Sequence, residues 1–247
     1  MGTSLRNVGS QVWMGCFLLT DYMVELGSLL DGCVALELGA GTGISSIASG
    51  ILTNVRKMFC TDFDAAVLSN CQHNVDLNRT SIKPGNKIVT RRLNWFLPCP
   101  METVEGEVED EYSWTPEDVR EWTDEGAFIF AADVVYDDSL TDVLVECLEQ
   151  LLTIPLPTGH PRHEHGRVAF MTMEKRYNFS LNELDVVAQA HDYFVQKMGR
   201  STQLHLTRLD TGSVGRHCDY ERTKDLELFQ ITCRQTADGS TLSTLST

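Results

Sequence analysis

Short apolar runs alternate along this chain with segments whose apolar residues recur at helical spacing. The run CVALEL, apolar except for one glutamate, is typical of a strand buried in a parallel sheet. Similar runs predict four more strands, and apolar residues three and four positions apart predict the helices that flank them. The predicted strands are 33–38, 57–62, 87–93, 127–133 and 167–174, and the predicted helices are 12–30, 44–52, 65–77, 140–152 and 181–197.

Two more strands are predicted near the end of the chain, at 203–209 and 226–234, with no helix between them. Strands that alternate with helices form an open, doubly wound, mostly parallel sheet. The final pair, which has no crossover helix, is expected to form an antiparallel edge on that sheet. The pattern therefore predicts a Rossmann-like α/β fold built on seven strands.

Three segments interrupt this alternation. Residues 99–126 contain 11 acidic residues and one basic residue, together with Trp114 and Trp122. We consider two hypotheses for this acidic insertion: it docks a basic part of a partner, or it is a solvated loop. The loop 155–166 holds three histidines without helical spacing, so we expect no metal site there. The polar tail 235–247 is expected to be disordered.

The charge of the chain bears on its partners. The 247 residues carry a formal net charge of −15 at pH 7. A nucleic-acid backbone is bound through lysine and arginine that displace counterions, so an acidic chain suits it poorly. We therefore expect a basic protein substrate and no direct binding of nucleic acid. We also expect the protein to be a monomer.

The apolar runs and the cysteines bear on location. No run of about 18 apolar residues is present, so we expect no membrane span. The first residues lack the basic and apolar regions of a secretory signal. The eight cysteines contain no C-x-x-C pair, which favours free thiols in a reducing compartment. The expected location is intracellular: the nucleus, the cytoplasm or both.

The motif E-L-G-A-G-T-G at 37–43 lies between a predicted strand and a predicted helix. A dinucleotide fingerprint would need a third glycine at position 44, which is Ile44. Glu37 would repel a pyrophosphate and attract a cationic amine. Asp62, at the end of the next strand, is suited to accept hydrogen bonds from ribose hydroxyls. A ligand with adenosine, a positive amine and no phosphate is S-adenosyl-L-methionine.

Four motifs carry a resemblance to a known family: E-L-G-A-G-T-G, TD at 61–62, LNW at 93–95 and AADVVY at 131–136. Together they resemble the seven-strand protein-lysine methyltransferases of the methyltransferase-like family 16 group. The resemblance implies a class I methyltransferase domain over 1–234 that methylates a lysine side chain in a protein. It also implies which residues line the cofactor site: Trp13, Gly39, Ala40, Gly41, Asp62, Trp95 and Ala132. From the glycine motif we add Glu37 and Gly43.

Asp133 and Tyr136 follow the fourth predicted strand, where ligands bind in open parallel sheets. Methyl transfer to an amine builds positive charge on nitrogen, and a carboxylate at Asp133 would orient the amine and stabilise that charge. We therefore expect Asp133 and Tyr136 to be catalytic, and Asp133→Asn to remove turnover with little effect on stability. In the alternative interpretation Asp133 caps the following helix and Tyr136 lies in the core, although Asp138 and Ser139 are better placed as caps.

Other functions remain open at this stage. A small-molecule methyltransferase and a non-catalytic protein that binds S-adenosyl-L-methionine both fit the glycine motif. A dehydrogenase fits worst, because of the glycine spacing. Amino-methyltransferases of nucleic acids carry two prolines in the motif that here reads Asp-Val-Val-Tyr, which argues against a DNA or RNA substrate.

Overall fold

A computed structural model describes residues 9–97, 101, 110–180 and 185–234, with no account of the side chains of 178–180 and 185–187. The helices are α1 (Met14–Leu26), α2 (Ile44–Leu52), α3 (Ala65–Leu77), α4 (Pro116–Glu125), α5 (Asp138–Thr153) and α6 (Gln189–Arg200). The strands are β1 (Val34–Leu38), β2 (Lys57–Asp62), β3 (Lys87–Arg92), β4 (Gly126–Ala132), β5 (Val168–Glu174), β6 (Asn178–Ser180), β7 (Asp185–Val187), β8 (Leu204–Leu209) and β9 (Leu226–Cys233).

Seven strands form one sheet in the order β3-β2-β1-β4-β5-β9-β8. The first five strands are parallel to one another, whereas β9 runs antiparallel to both β5 and β8. The predicted doubly wound fold with its antiparallel β8–β9 unit is therefore confirmed. The order reverses next to β1, which places a crevice at the carboxyl ends of β1 and β4.

Both faces of the sheet are covered, which explains the continuous apolar runs. Leu36 points to a core shared with α4, α5 and α6, whereas its neighbour Ala35 points to a core shared with α1. Every residue of β1 and β4 is buried. A strand that is buried on both faces has no polar side, so its sequence does not alternate.

The predicted bounds of most elements agree with the structure to within about two residues, but two helices differ. The helix predicted at 12–30 ends at Leu26, because Gly27 takes a left-handed φ of 50° and a 3₁₀ turn follows. The helix predicted at 181–197 was wrong in its first part: β7 precedes α6, which begins at Gln189. The run Asp-Val-Val at 185–187 is rich in β-branched residues, which favour strands.

The described part of the acidic insertion packs against the sheet. Trp122 is fully buried, and Trp114 contacts the ring of Phe59 with a centroid distance of 4.8 Å. Trp122 is therefore not available to contact a partner. Residues 99–100 and 102–109 of the insertion lie outside the described residues, as does the tail 235–247.

Two kinds of feature are absent from the part of the chain that the structure describes. Among the helices of this part, the longest of which is α5 with 16 residues, none combines the length and apolar character needed to cross a membrane. In the same residues, no three His, Cys, Asp or Glu side chains come together in an arrangement that would hold a metal ion.

Candidate active site

A cavity of about 440 Å³ opens at the carboxyl ends of β1, β2 and β4. Its size lies within the range of about 300–1,000 Å³ that is usual for small-ligand sites. Nine of the predicted site residues line it: Trp13, Gly39, Ala40, Gly41, Asp62, Trp95, Ala132, Asp133 and Tyr136. The structure therefore brings together the turn after β1, the ends of β2 and β4, and the residue before α1.

The glycine turn after β1 needs glycine for two reasons. Gly39 and Gly41 have φ values of 61° and 56°, which L side chains rarely adopt. In addition, a Cβ at Gly41 would lie 3.1 Å from the carbonyl oxygen of Gly9. The missing side chain allows the segment before α1 to close over the turn and form one wall of the cavity.

Asp62 faces the cavity from the end of β2. Its Oδ2 accepts a hydrogen bond of 3.1 Å from the backbone N–H of Gly41, and its Oδ1 accepts one of 2.8 Å from that of Phe63. Burial raises the pKa of this carboxyl, and the backbone hydrogen bonds oppose that shift. Asp62 thus ties the glycine turn to β2 and keeps acceptor sites for a ligand, because a carboxylate can accept about four hydrogen bonds.

Glu37 and Gly43 do not line the cavity, in contrast to the prediction. The buried carboxylate of Glu37 accepts hydrogen bonds from the backbone N–H and the Oγ of Ser46 in α2. A Cβ at Gly43 would lie 2.7 Å from Cys71 Sγ, so this residue packs against α3. Both residues therefore support the glycine turn through contacts with α2 and α3, away from the cavity. Burial raises the pKa of Glu37 to about 7, although Ser46 opposes the shift.

Asp133 lies at the end of β4 with a left-handed φ of 53°, which for a residue other than glycine costs about 1–3 kcal/mol. Its Oδ2 accepts a hydrogen bond of 2.7 Å from Gly15 N–H, and its Oδ1 accepts one of 2.8 Å from Glu174 N–H. Arg176 Nη2 lies 3.3 Å from Oδ1. These contacts hold the strained backbone in place and join the start of α1 to the end of β5.

The alternative interpretation of Asp133 as a helix cap is wrong. Asp137 caps α5, because its Oδ1 accepts a hydrogen bond of 3.0 Å from Leu140 N–H. The sequence placed the cap one or two residues too late, at Asp138 or Ser139. Asp133 is therefore free of any role at the start of α5.

Tyr136 lies at the mouth of the cavity and is 38% exposed, so it does not belong to the core. Partial burial raises the pKa of its phenol, and the carboxylates of Asp62 and Asp137 add to the rise. The hydroxyl therefore stays protonated at neutral pH and can donate a hydrogen bond to a group in the cavity.

Several residues of the site were not predicted from the sequence. Asn94 also lines the cavity, and its place in the LNW motif was a signal that could have identified it. Gly15 and Arg176 contact Asp133 from 118 and 43 positions away in the chain, and nothing local marks them. The other lining residues that were not predicted are Gly9, Gln11, Cys16, Phe63, Asp64, Val67, Leu93, Phe96, Val134 and Leu140.

Comparisons with known proteins agree with this geometry. A profile of the family described as lysine methyltransferase matches residues 2–176. The chain is 37% identical over 240 residues to methyltransferase-like protein 22 of Homo sapiens, which covers 94% of this chain and 55% of that protein. It is 29% identical over 203 residues to protein N-lysine methyltransferase METTL21A of Mus musculus. This match covers 80% of this chain and 81% of that protein.

The similarity to methyltransferase-like protein 22 confirms a resemblance visible in the runs YSWTPEDVREW and FAADVVYDDSLTDVL. The mouse form of that protein is 33% identical over 94% of this chain. The chain spans about half the length of these two curated relatives. Among solved structures, the methyltransferase domain of bacterial CtHen1-C has a TM-score of 0.51 at 11% identity, with coverage of 88% and 97%, and supports the fold alone.

Proposed function

Because this chain belongs to the lysine methyltransferase family, we propose that it transfers a methyl group from S-adenosyl-L-methionine to the side-chain amine of a lysine in a protein substrate. Membership of this family implies methylation that depends on S-adenosyl-L-methionine as the cofactor. The observation that carries the finer proposal is that Asp133 lines the same cavity as the cofactor residues.

The residues present fit the cofactor. The cavity is apolar for the most part, and Trp13 and Trp95 on its walls offer flat faces for an adenine. Asp62 has acceptor sites left for the hydroxyls of a ribose. The negative charges of Asp62 and Asp133 suit a ligand that is positively charged at sulfur and at its amine.

When bound, S-adenosyl-L-methionine supplies an electrophilic methyl group on a positively charged sulfur. A lysine has to reach the cavity as the neutral amine, although its pKa in water is about 10.4, so a proton leaves to solvent first. The Asp133 carboxylate then accepts a hydrogen bond from the amine and stabilises the positive charge that grows on its nitrogen. At about 4 Å and an effective dielectric constant near 20, this attraction amounts to roughly 4 kcal/mol.

Tyr136 has a supporting part in this scheme. Tyr136 lines the cavity and is partly exposed, which supports a role for its phenol in contacting a side chain that enters from solvent. The ring excludes water from one side of the amine, and the hydroxyl can fix its direction. We keep as predictions that the substrate segment is basic, that the protein is a monomer, and that it acts in the nucleus or the cytoplasm.

The test is to incubate the purified protein with a cell extract and radiolabelled S-adenosyl-L-methionine, and then to identify the labelled residue by mass spectrometry. We expect the label on lysine in a small set of proteins. An Asp62→Ala variant, which we expect to bind the cofactor more weakly, serves as the control and should give less label at a limiting cofactor concentration. Label in nucleic acid or in small molecules would contradict the proposal. Absence of label while S-adenosylhomocysteine still binds would indicate a non-catalytic binding protein.

A further inference from the structure

Arg176 places a cation of the protein itself against the carboxylate of Asp133. Its Nη2 lies 3.3 Å from Asp133 Oδ1, and its guanidinium carbon lies 4.2 Å from the centre of the Trp13 ring. Its Nε lies 3.8 Å from Glu174 Oε2. The guanidinium therefore lies between two acids and the face of an indole, and two of these three partners, Trp13 and Asp133, line the cavity.

The partners of Asp133 differ in how readily they can leave. The backbone N–H groups of Gly15 in α1 and Glu174 in β5 donate hydrogen bonds to Asp133. These two bonds can break only if α1 or β5 moves. Arg176 forms an ion pair with Asp133, without a well-directed hydrogen bond from Nη2, through a long side chain that is 35% exposed, whereas the side chain of Asp133 is only 3% exposed. Arg176 is therefore the partner that a rotation of side-chain bonds can remove.

An arginine released from Asp133 would still have favourable contacts. The Trp13 ring attracts a cation over its face, and Glu174 offers a second carboxylate. The side chain of Glu174 is 28% exposed, whereas that of Asp133 is 3% exposed. Water therefore solvates the Glu174 carboxylate better, and this carboxylate depends less on a cationic partner. The exchange thus moves one cation by a short distance and leaves the backbone unchanged.

From these contacts, and resting on the proposed function, we infer that Arg176 is a specificity-determining residue that occupies the amine position at Asp133 until a substrate displaces it. A free amine brings only its own charge and has to compete with the guanidinium for Asp133. A lysine in a protein also brings contacts from its neighbouring residues, which offset the cost of displacement. The contact therefore selects protein lysines over small amines.

The experiment measures binding of butylammonium, a lysine side-chain analogue, to protein saturated with S-adenosylhomocysteine. Butylammonium chloride replaces sodium chloride at constant ionic strength, and calorimetry reports the dissociation constant. We expect Arg176→Gln to bind butylammonium about tenfold more tightly, because a competing cation is gone. Arg176→Lys keeps the positive charge and should bind like the parent.

The matched control is Arg208→Gln. Arg208 is an exposed arginine that pairs with Glu227 across 2.9 Å, and its loss changes the net charge by the same amount. We expect butylammonium binding to this variant to equal that of the parent. An equal gain in both variants would show that only net charge matters and would overturn the inference.

Arg176→Met provides a second neutral variant, which keeps an apolar stem over Trp13. Unchanged or weaker butylammonium binding in either folded neutral variant contradicts the inference. If thermal unfolding shows that neither variant folds, Arg176 is a structural residue and the inference fails. Failure of the proposed function looks different: the extract experiment would then give no labelled lysine, while the gain in butylammonium binding would persist.

Discussion

The backbone N–H of Gly15 donates a 2.7 Å hydrogen bond to Oδ2 of Asp133, although 118 positions separate the two residues in the chain. Thr172 completes the link, because its Oγ1 donates a 2.8 Å hydrogen bond to the carbonyl oxygen of Gly15. The first turn of α1 is thus fastened to the ends of β4 and β5. Since Trp13 precedes this turn, the same link positions one wall of the cavity.

A Gly15→Ala substitution should break this link. A Cβ at this position would lie 2.5 Å from Asp133 Oδ2, so the carboxylate or the helix has to move. Overpacking of this kind costs about 1–3 kcal/mol in the free energy of unfolding. We expect a loss in that range in urea unfolding, together with weaker binding of S-adenosylhomocysteine.

Gly199→Ala is the matched control for Gly15→Ala. Gly199 also lies in a helix, but a Cβ there would meet no atom within 4 Å. Alanine favours helix over glycine, so the stability of this variant should stay the same or rise by up to about 1 kcal/mol. Equal effects of the two substitutions would show that the contact at Gly15 is unimportant.

Asp133→Asn should remove most turnover, because the amide cannot stabilise a positive charge on the amine. The structure corrects the expectation that stability would hardly change. Two backbone N–H groups point at the two carboxylate oxygens, so the amide NH₂ has to face one of those donors. We expect a loss of about 1–3 kcal/mol in urea unfolding. Asp76→Asn on the exposed face of α3 is the control and should change neither quantity; a fully active Asp133→Asn would exclude Asp133 from catalysis.

How far the sequence could predict the fold is clearest at β1 and α6. The apolar run of β1 and the glycines after it define a strand, a turn and a helix by local rules alone. At α6 the local rules failed, because the alternation of strand and helix favoured one long helix where the chain first forms β7.

The site shows the same division between local and distant information. The glycine turn and Asp62 were predictable because both follow a strand directly. Glu37 was misplaced because β1 is buried on both faces, so no polar and apolar alternation reveals which way its side chain points. The contacts of Gly15 and Arg176 with Asp133 arise only when α1 and the end of β5 pack together, and no local pattern encodes them.

Asp62→Ala should weaken the binding of S-adenosylhomocysteine about ten- to a hundredfold. A lost hydrogen bond to a charged group costs roughly 1.5–3 kcal/mol, and the variant also frees the N–H of Gly41. Calorimetry measures the affinity, with NAD as a second ligand that we expect not to bind. Asp31→Ala, at the opposite end of β1, is the control; parent-like affinity of Asp62→Ala would contradict the assigned position of the ribose.

Glu37 should make the stability of the protein depend on pH. Its pKa is raised by burial from 4.5 to about 7 in the folded state. The stabilisation is therefore fully present below pH 4.5 and is lost as pH rises through 7, at up to about 1.4 kcal/mol per pH unit. In urea unfolding between pH 5 and 8, the parent should lose up to about 3 kcal/mol relative to Glu37→Gln. Parallel pH profiles for the two proteins would mean that Glu37 is ionised in the folded state.

Asp118 carries the charge that holds α4 on the sheet. Its Oδ1 accepts a 2.8 Å hydrogen bond from Lys57 Nζ, and its Oδ2 accepts one of 2.7 Å from Arg91 Nη2. Burial alone would raise the pKa of Asp118, but these two cations outweigh it and lower that pKa to about 2. The acidic residues of α4 therefore neutralise basic residues of β2 and β3, so they offer less charge to a partner than the sequence suggests.

Asp118→Asn should destabilise the protein by about 3–5 kcal/mol, because it takes the counterion from Arg91 and leaves Lys57 with Glu121 as its remaining carboxylate partner. Since the pKa of Asp118 is lowered, its stabilising effect is present above pH 3.8 and is lost as pH falls through 2. The control is Glu125→Gln in the same helix, whose exposed pairing with Arg56 is worth at most about 1 kcal/mol. Urea unfolding at pH 7 compares the two. A similar small loss in both variants would show that α4 is held by Trp122 and its apolar contacts, and that the buried ion pairs add no stability.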